Sequence, residues 1–171
     1  PKFHRINGRV YVFSAFLISL AGLYLTWVRG NVGGVIGSVF ISINAAFIFV
    51  CAFYAVRLAM ARKLAAHRKW AIRLFLAMSG VWFFRVFLML WLTIFQGPVG
   101  FDMDSFQGPA LNMISTISYI IPVLFAEFYF KAKEGGETNE RLAVSIFILF
   151  LTCCIAIGTF TATMGMWLPN L

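Results

Sequence analysis

The chain has 171 residues, 61% of them hydrophobic and 12% charged, and carries a formal charge of +8 with a mean hydropathy of +0.89. So apolar a composition excludes a water-soluble domain of this length and implies an integral membrane protein. The positive charge would suggest nucleic acid in a soluble protein, so its placement along the chain must be read before any partner is inferred.

Five apolar segments approach or exceed the roughly 20 helical residues that cross a hydrocarbon core: 10–28, 33–56, 74–95, 109–130 and 142–167. A lipid-embedded backbone must satisfy its own hydrogen bonds, and no alternating barrel pattern is present. The expectation is an all-α fold, a polytopic transmembrane helical bundle of five spans forming a single membrane domain. No cleavable leader pattern precedes the first segment, which therefore reads as a mature span.

In chain order, "FHRINGRVY" leads into the first segment and "VRGNVGG" makes a tight turn to the second. Small residues then recur at i, i+4 (Gly30 and Gly34, Gly33 and Gly37, Ser38 and Ser42), a spacing that lets helices approach closely, within the chain or across a dimer seam. The stretch "RLAMARKLAAHRKWAIR", 57–73, reads as a basic helical linker on an anionic leaflet, with Leu58, Leu64, Trp70 and Ile72 toward the acyl chains. The third and fourth segments are joined by the Gly/Pro loop "QGPVGFDMDSFQGP", and the fourth and fifth by the polar "KAKEGGETNER". Cys51, Cys153 and Cys154 all fall in apolar segments and read as small buried hydrophobes, with no ligand spacing among them.

Orientation follows from the basic residues. With the N-terminus of this segment inside, 12 of the 14 Lys and Arg fall on the cytoplasmic side, Arg29 is outside and Arg85 lies within a span. The expected topology is N-terminus in and C-terminus out, in a bacterial cytoplasmic (inner) membrane. The high charge is then a positive-inside signature, and nucleic acid is not an expected partner; anionic lipid is.

Two ionisable residues fall inside spans, Arg85 and Glu127. Helical side chains lean toward their own N-terminus, so residues on oppositely directed third and fourth helices lean toward each other despite a depth difference of about 10 Å. An intramembrane arginine calls for a partner or a wet cavity, and Asn44 and Tyr119, each midway along a span, complete the expected polar site. It serves either to order the helices or as a pocket for a ligand or protons.

The two histidines, His4 and His67, each precede an arginine at the cytoplasmic face. Two imidazoles at one level of a bundle suit the axial positions of a heme b, or can flank a quinone headgroup; alternatively they are interfacial residues which, with Arg5, Arg9, Arg68 and Arg73, meet loops, lipid headgroups or an anionic ligand. A zinc site is disfavoured, because no carboxylate lies near either histidine in sequence.

Four patterns now stand in order: "HRINGRVYV", "HRKWAIR", Arg85 within the third span, and "SYIIPVLFAEFYF" ending the fourth. Together they resemble the prokaryotic DUF2306 family of predicted membrane proteins through residue 130. The resemblance singles out His4, Arg5, Gly8, Arg9, Tyr11, His67, Arg68, Arg73, Arg85 and Glu127, and implies a further apolar segment ahead of the first HR element. It implies no reaction. Lacking a nucleophile and base pair, a phosphate loop or a metal motif, the chain is expected to be non-enzymatic: an accessory or structural subunit of a larger membrane complex. The alternatives are a membrane electron-transfer protein holding heme b or quinone near His4 and His67, and a small transporter or lipid-binding protein.

Overall fold

A computed structural model describes residues 2–31 and 34–168. Six helices follow one another: α1 (Lys2–Val28), α2 (Gly34–Met60), α3 (Leu64–Met78), α4 (Gly80–Phe95), α5 (Pro109–Gly135) and α6 (Thr138–Ala162), the last running into a π-helical stretch at Thr163–Trp167. Among the described residues there is no strand beyond an isolated bridge between Asp102 and Gln107. Helices α1, α2, α5 and α6 are each long and apolar enough to cross a membrane, and α3 with α4 makes a fifth crossing if the pair is one broken span. The protein is an all-α, multi-pass membrane protein. Twenty-seven residues rise about 40 Å, more than the roughly 30 Å hydrocarbon core, so helix ends extend beyond it. Accordingly α1 begins at Lys2 rather than near residue 10, and His4, Arg5 and Arg9 ride on the helix itself. Pro122 lies inside α5 without interrupting it.

The helices form two compact units that divide between Met78 and Ser79. In the first, α2 packs against both α1 and α3. Its core is built from Ala15 of α1, Ile48, Cys51 and Ala52 of α2, and Leu74 and Ala77 of α3. Pairs such as Phe16 with Phe49 and Trp27 with Ser42 run in opposite chain directions, so α1 and α2 are antiparallel. The small-residue face of α2 is used within this unit: Ser38 accepts from Asn31 Nδ2 at 2.8 Å, Ser42 accepts from Trp27 Nε1 at 3.0 Å, and a Cβ on Gly37 would meet Asn31 Oδ1 at 2.8 Å. Gly33, in the expected turn, lies outside the described residues.

Two expectations are corrected here. The basic stretch 57–73 is not one helix on a leaflet, since α2 ends at Met60 and α3 begins at Leu64. The reversal is a Schellman-type cap: Lys63 N donates to Leu58 O at 3.0 Å and Arg62 N to Ala59 O at 3.1 Å, with Arg62 in the left-handed region at φ 56°. Helix α3 therefore returns alongside α2. The expected continuous helix over 74–95 is likewise two helices, interrupted at Ser79.

The second unit packs α4 against α5 and α6. Its tightest crossing is at Gly158, where a Cβ would come within 2.5 Å of the Val86 carbonyl oxygen, and Val86 is fully buried. Gly80 makes room for the Tyr119 ring. The Gly/Pro loop folds onto one end of this unit: Phe101 packs with Ala110 and Leu111, backed by Phe84, Leu88 and Trp91, and Trp91 Nε1 donates to Val99 O at 3.0 Å. Only Gly158 and Ala162 of α6 are buried. Cys153 is exposed and Cys154 half-buried, so of the three cysteines only Cys51 is the buried hydrophobe expected.

Candidate functional site

The periodicity of α1 places His4. The stripe of its buried residues, Ala15, Ser19 and Thr26, continues N-terminally at helical spacing through Gly8 to His4, both exposed at the basic end of the unit. On α3, His67 lies seven residues before Leu74, one of the two buried residues of that helix. Sixty-three positions apart in sequence, the two imidazoles meet: their ring centres are 6.4 Å apart and their planes nearly perpendicular at 81°.

The His67 ring is fixed from behind. Its Nδ1 lies 2.8 Å from the Ala55 carbonyl oxygen on α2. A carbonyl can only accept, so Nδ1 carries a proton, and in the neutral ring the lone pair is then on Nε2. Ala55 is five residues before the end of α2, about 7 Å inside that helix end. His4 is exposed and, among the described residues, makes no hydrogen bond. Gly8, one turn from His4, has open space where a Cβ would project.

Beside His67 an aromatic stack braces the hairpin. Tyr54 and Trp70 lie 4.6 Å apart at 20°, the Arg73 guanidinium sits 4.7 Å over Trp70, and Arg57 lies 6.0 Å over Phe53. Arg73 thus rests its charge on an indole face. Arg5, Arg9 and Arg68 are exposed at the same end of the unit as the histidines.

The four residues expected to form an intramembrane polar site divide between the units. In the first, Asn44 Nδ2 donates to Ala77 O at 3.3 Å, tying α2 to α3. In the second, Tyr119 covers Gly80, while Arg85 on α4 and Glu127 on α5 both occupy exposed positions. No ion pair joins Arg85 to Glu127 among the described residues, and Glu127 has interactions of its own.

Sequence reasoning did not find the Ala55 carbonyl or the Tyr54–Trp70 stack. Both follow from α3 turning back along α2, and the only local sign of that turn is a backbone conformation at Arg62. No group of three or more His, Cys, Asp or Glu among the described residues could hold a metal ion.

The family model described as predicted membrane protein (DUF2306) matches residues 1–130, which include all of the first unit and every residue of the histidine site. No curated protein and no solved structure matches the chain.

Proposed function

From a chain that belongs to the DUF2306 family of predicted membrane proteins, we propose a non-enzymatic, ligand-binding protein of the bacterial cytoplasmic membrane, with its site at the cytoplasmic edge of the first unit. One observation carries this reading: His4 and His67 converge at 6.4 Å from separate helices, and the convergence is built, since Ala55 fixes the tautomer of one partner. A merely interfacial histidine needs no such backing. Arg5, Arg9 and Arg68 beside the pair give the site a preference for anionic groups, including headgroups of anionic lipid.

The test is to purify the full chain from membranes in mild detergent and identify bound small molecules by absorption and mass spectrometry. His4→Ala and His67→Ala should each lower the bound amount at least tenfold while helical circular dichroism is kept. Wild-type protein with nothing bound, or equal amounts in all three proteins, contradicts the reading.

A second reading, an accessory subunit in a larger membrane complex, draws its support from α6. Leu142, Ile146, Leu149, Phe150, Ile157 and Phe160 are all at least half exposed, enough apolar surface to pack on a partner helix as well as on lipid. Recovery of a stoichiometric partner whose binding is lost in Ile146→Asn and Phe150→Asn would favour it.

A further inference from the structure

Resting on that ligand-binding reading, we infer that the ligand is a heme b, held by His4 and His67 as its two axial ligands and lying against the open face of α1 at Gly8. Donor count is the first argument. Two imidazoles without a third His, Cys, Asp or Glu fall short of the four protein ligands of a structural zinc site, whereas a porphyrin brings four nitrogens of its own and asks the protein for the axial positions alone.

Distance is the second. A metal–imidazole bond of about 2 Å, with about 1 Å more from ring nitrogen to ring centre, puts two axial rings on one metal about 6 Å apart. The observed separation is 6.4 Å. An edge-to-face pair in direct contact has the same spacing, as Phe101 and Phe106 do at 6.3 Å and 80°, so the distance admits a shared metal and the donor count and the tautomer carry the argument.

The third argument is the hydrogen bond behind His67. An Nδ1–H held on a backbone carbonyl at 2.8 Å is the arrangement that orients a metal-binding imidazole and raises its basicity, leaving Nε2 for the metal. Space and charge agree with it. Gly8 leaves the face of α1 next to His4 clear, where a larger side chain would intrude on the macrocycle. Arg5 and Arg68, each one residue past a proposed ligand, and Arg9 one turn beyond Arg5, are exposed at this end and suit the two propionate carboxylates.

The experiment is expression of the full chain with added heme precursor, purification in detergent, and measurement of heme content with oxidised and dithionite-reduced spectra. Wild type should carry about one low-spin heme per chain, and its reduced form should not take up carbon monoxide because both axial positions are filled. His67→Ala and His4→Ala should each lose at least nine-tenths of the heme, and whatever heme remains should bind carbon monoxide. Gly8→Phe should retain at most a tenth of the wild-type heme, while Gly22→Phe, at another open glycine of the same helix, should retain it. Folded wild type without heme, or heme unaltered in both histidine variants, overturns the inference. A different compound bound in a histidine-dependent way overturns the heme alone and leaves the binding site standing; nothing bound at all overturns both.

Discussion

In the unit that ends at Met78, polar side chains turn inward and finish on backbone carbonyls, Asn44 on Ala77 and His67 on Ala55. In the unit that begins at Ser79, Arg85 and Glu127 stand on exposed faces, and close packing comes from glycine, with Gly158 against Val86. A neutral amide or imidazole presents one or two donors, and a helix carbonyl already in its ladder still has a lone pair to accept one. A guanidinium presents five donors and a full charge, which one helix neighbour does not satisfy. The first unit thus absorbs these polar groups on its own helices, while the second presents its arginine on an exposed face among the described residues.

The contrast is broken most severely at the glycines. Gly158→Leu places a side chain against the Val86 backbone, which cannot rotate away, so the cost should reach about 3 kcal/mol or more. Gly8→Ala, in open space, should leave stability within about 0.5 kcal/mol of wild type. Thermal melting of detergent-purified variants compares them, and similar losses at both positions would show that the face of α1 at Gly8 is covered.

Arg85→Leu comes next, with the opposite sign. If the charge has no counter-ion in its own unit, removing it should stabilise the protein in a bilayer by up to about 2.5–3.5 kcal/mol, the range for a central arginine on insertion scales. Equilibrium unfolding in bicelles measures it. A loss of stability instead would mean that a partner outside the described contacts of Arg85 holds it.

These three substitutions also mark what could be read from the sequence. Hydropathy alone revealed the four long helices, because an apolar run of 20 residues has one solution in lipid. It did not reveal the return of α3 along α2, because the cap at Arg62 uses a left-handed arginine where glycine would have announced the stop. The histidines were legible as residue types, since only two exist and both precede arginine. Their meeting was not legible, because it depends on that hidden turn. The Arg85–Glu127 pairing rests on depth and lean alone, whereas rotational register between helices is set by packing such as Gly80 under Tyr119, which carries no signature in hydropathy.

A smaller effect separates the units again. Asn44→Val removes the amide that donates to Ala77 O at 3.3 Å, a long bond to one of the last carbonyls of α3. Interhelical hydrogen bonds in membranes average about 0.6 kcal/mol, so Asn44→Val should cost less than about 1 kcal/mol in the same unfolding assay. A larger loss would mean that Asn44 serves the histidine hairpin more directly than its single bond implies.

The smallest effect belongs to the loop of the second unit. Asp102 accepts hydrogen bonds from Ser105 Oγ at 2.6 Å and Ser105 N at 3.0 Å, with Asp104 N at 3.3 Å, and these hold its carboxyl below the usual aspartate range, the Ser105 hydroxyl foremost. The folded pKa lies below the unfolded one, so the loop's share of stability is complete above about pH 4 and fades as pH falls through the depressed value. Because the carboxylate is fully exposed to water, the loss should loosen the loop without melting the helices. Amide exchange at Asp104 and Ser105 should therefore speed up, relative to amides elsewhere in the loop, as pH falls below that range. Ser105→Ala, which removes the strongest of the three bonds, should move this onset to higher pH. If the onset does not move, the Asp102 turn is held by the Phe101 packing beneath it and not by its hydrogen bonds.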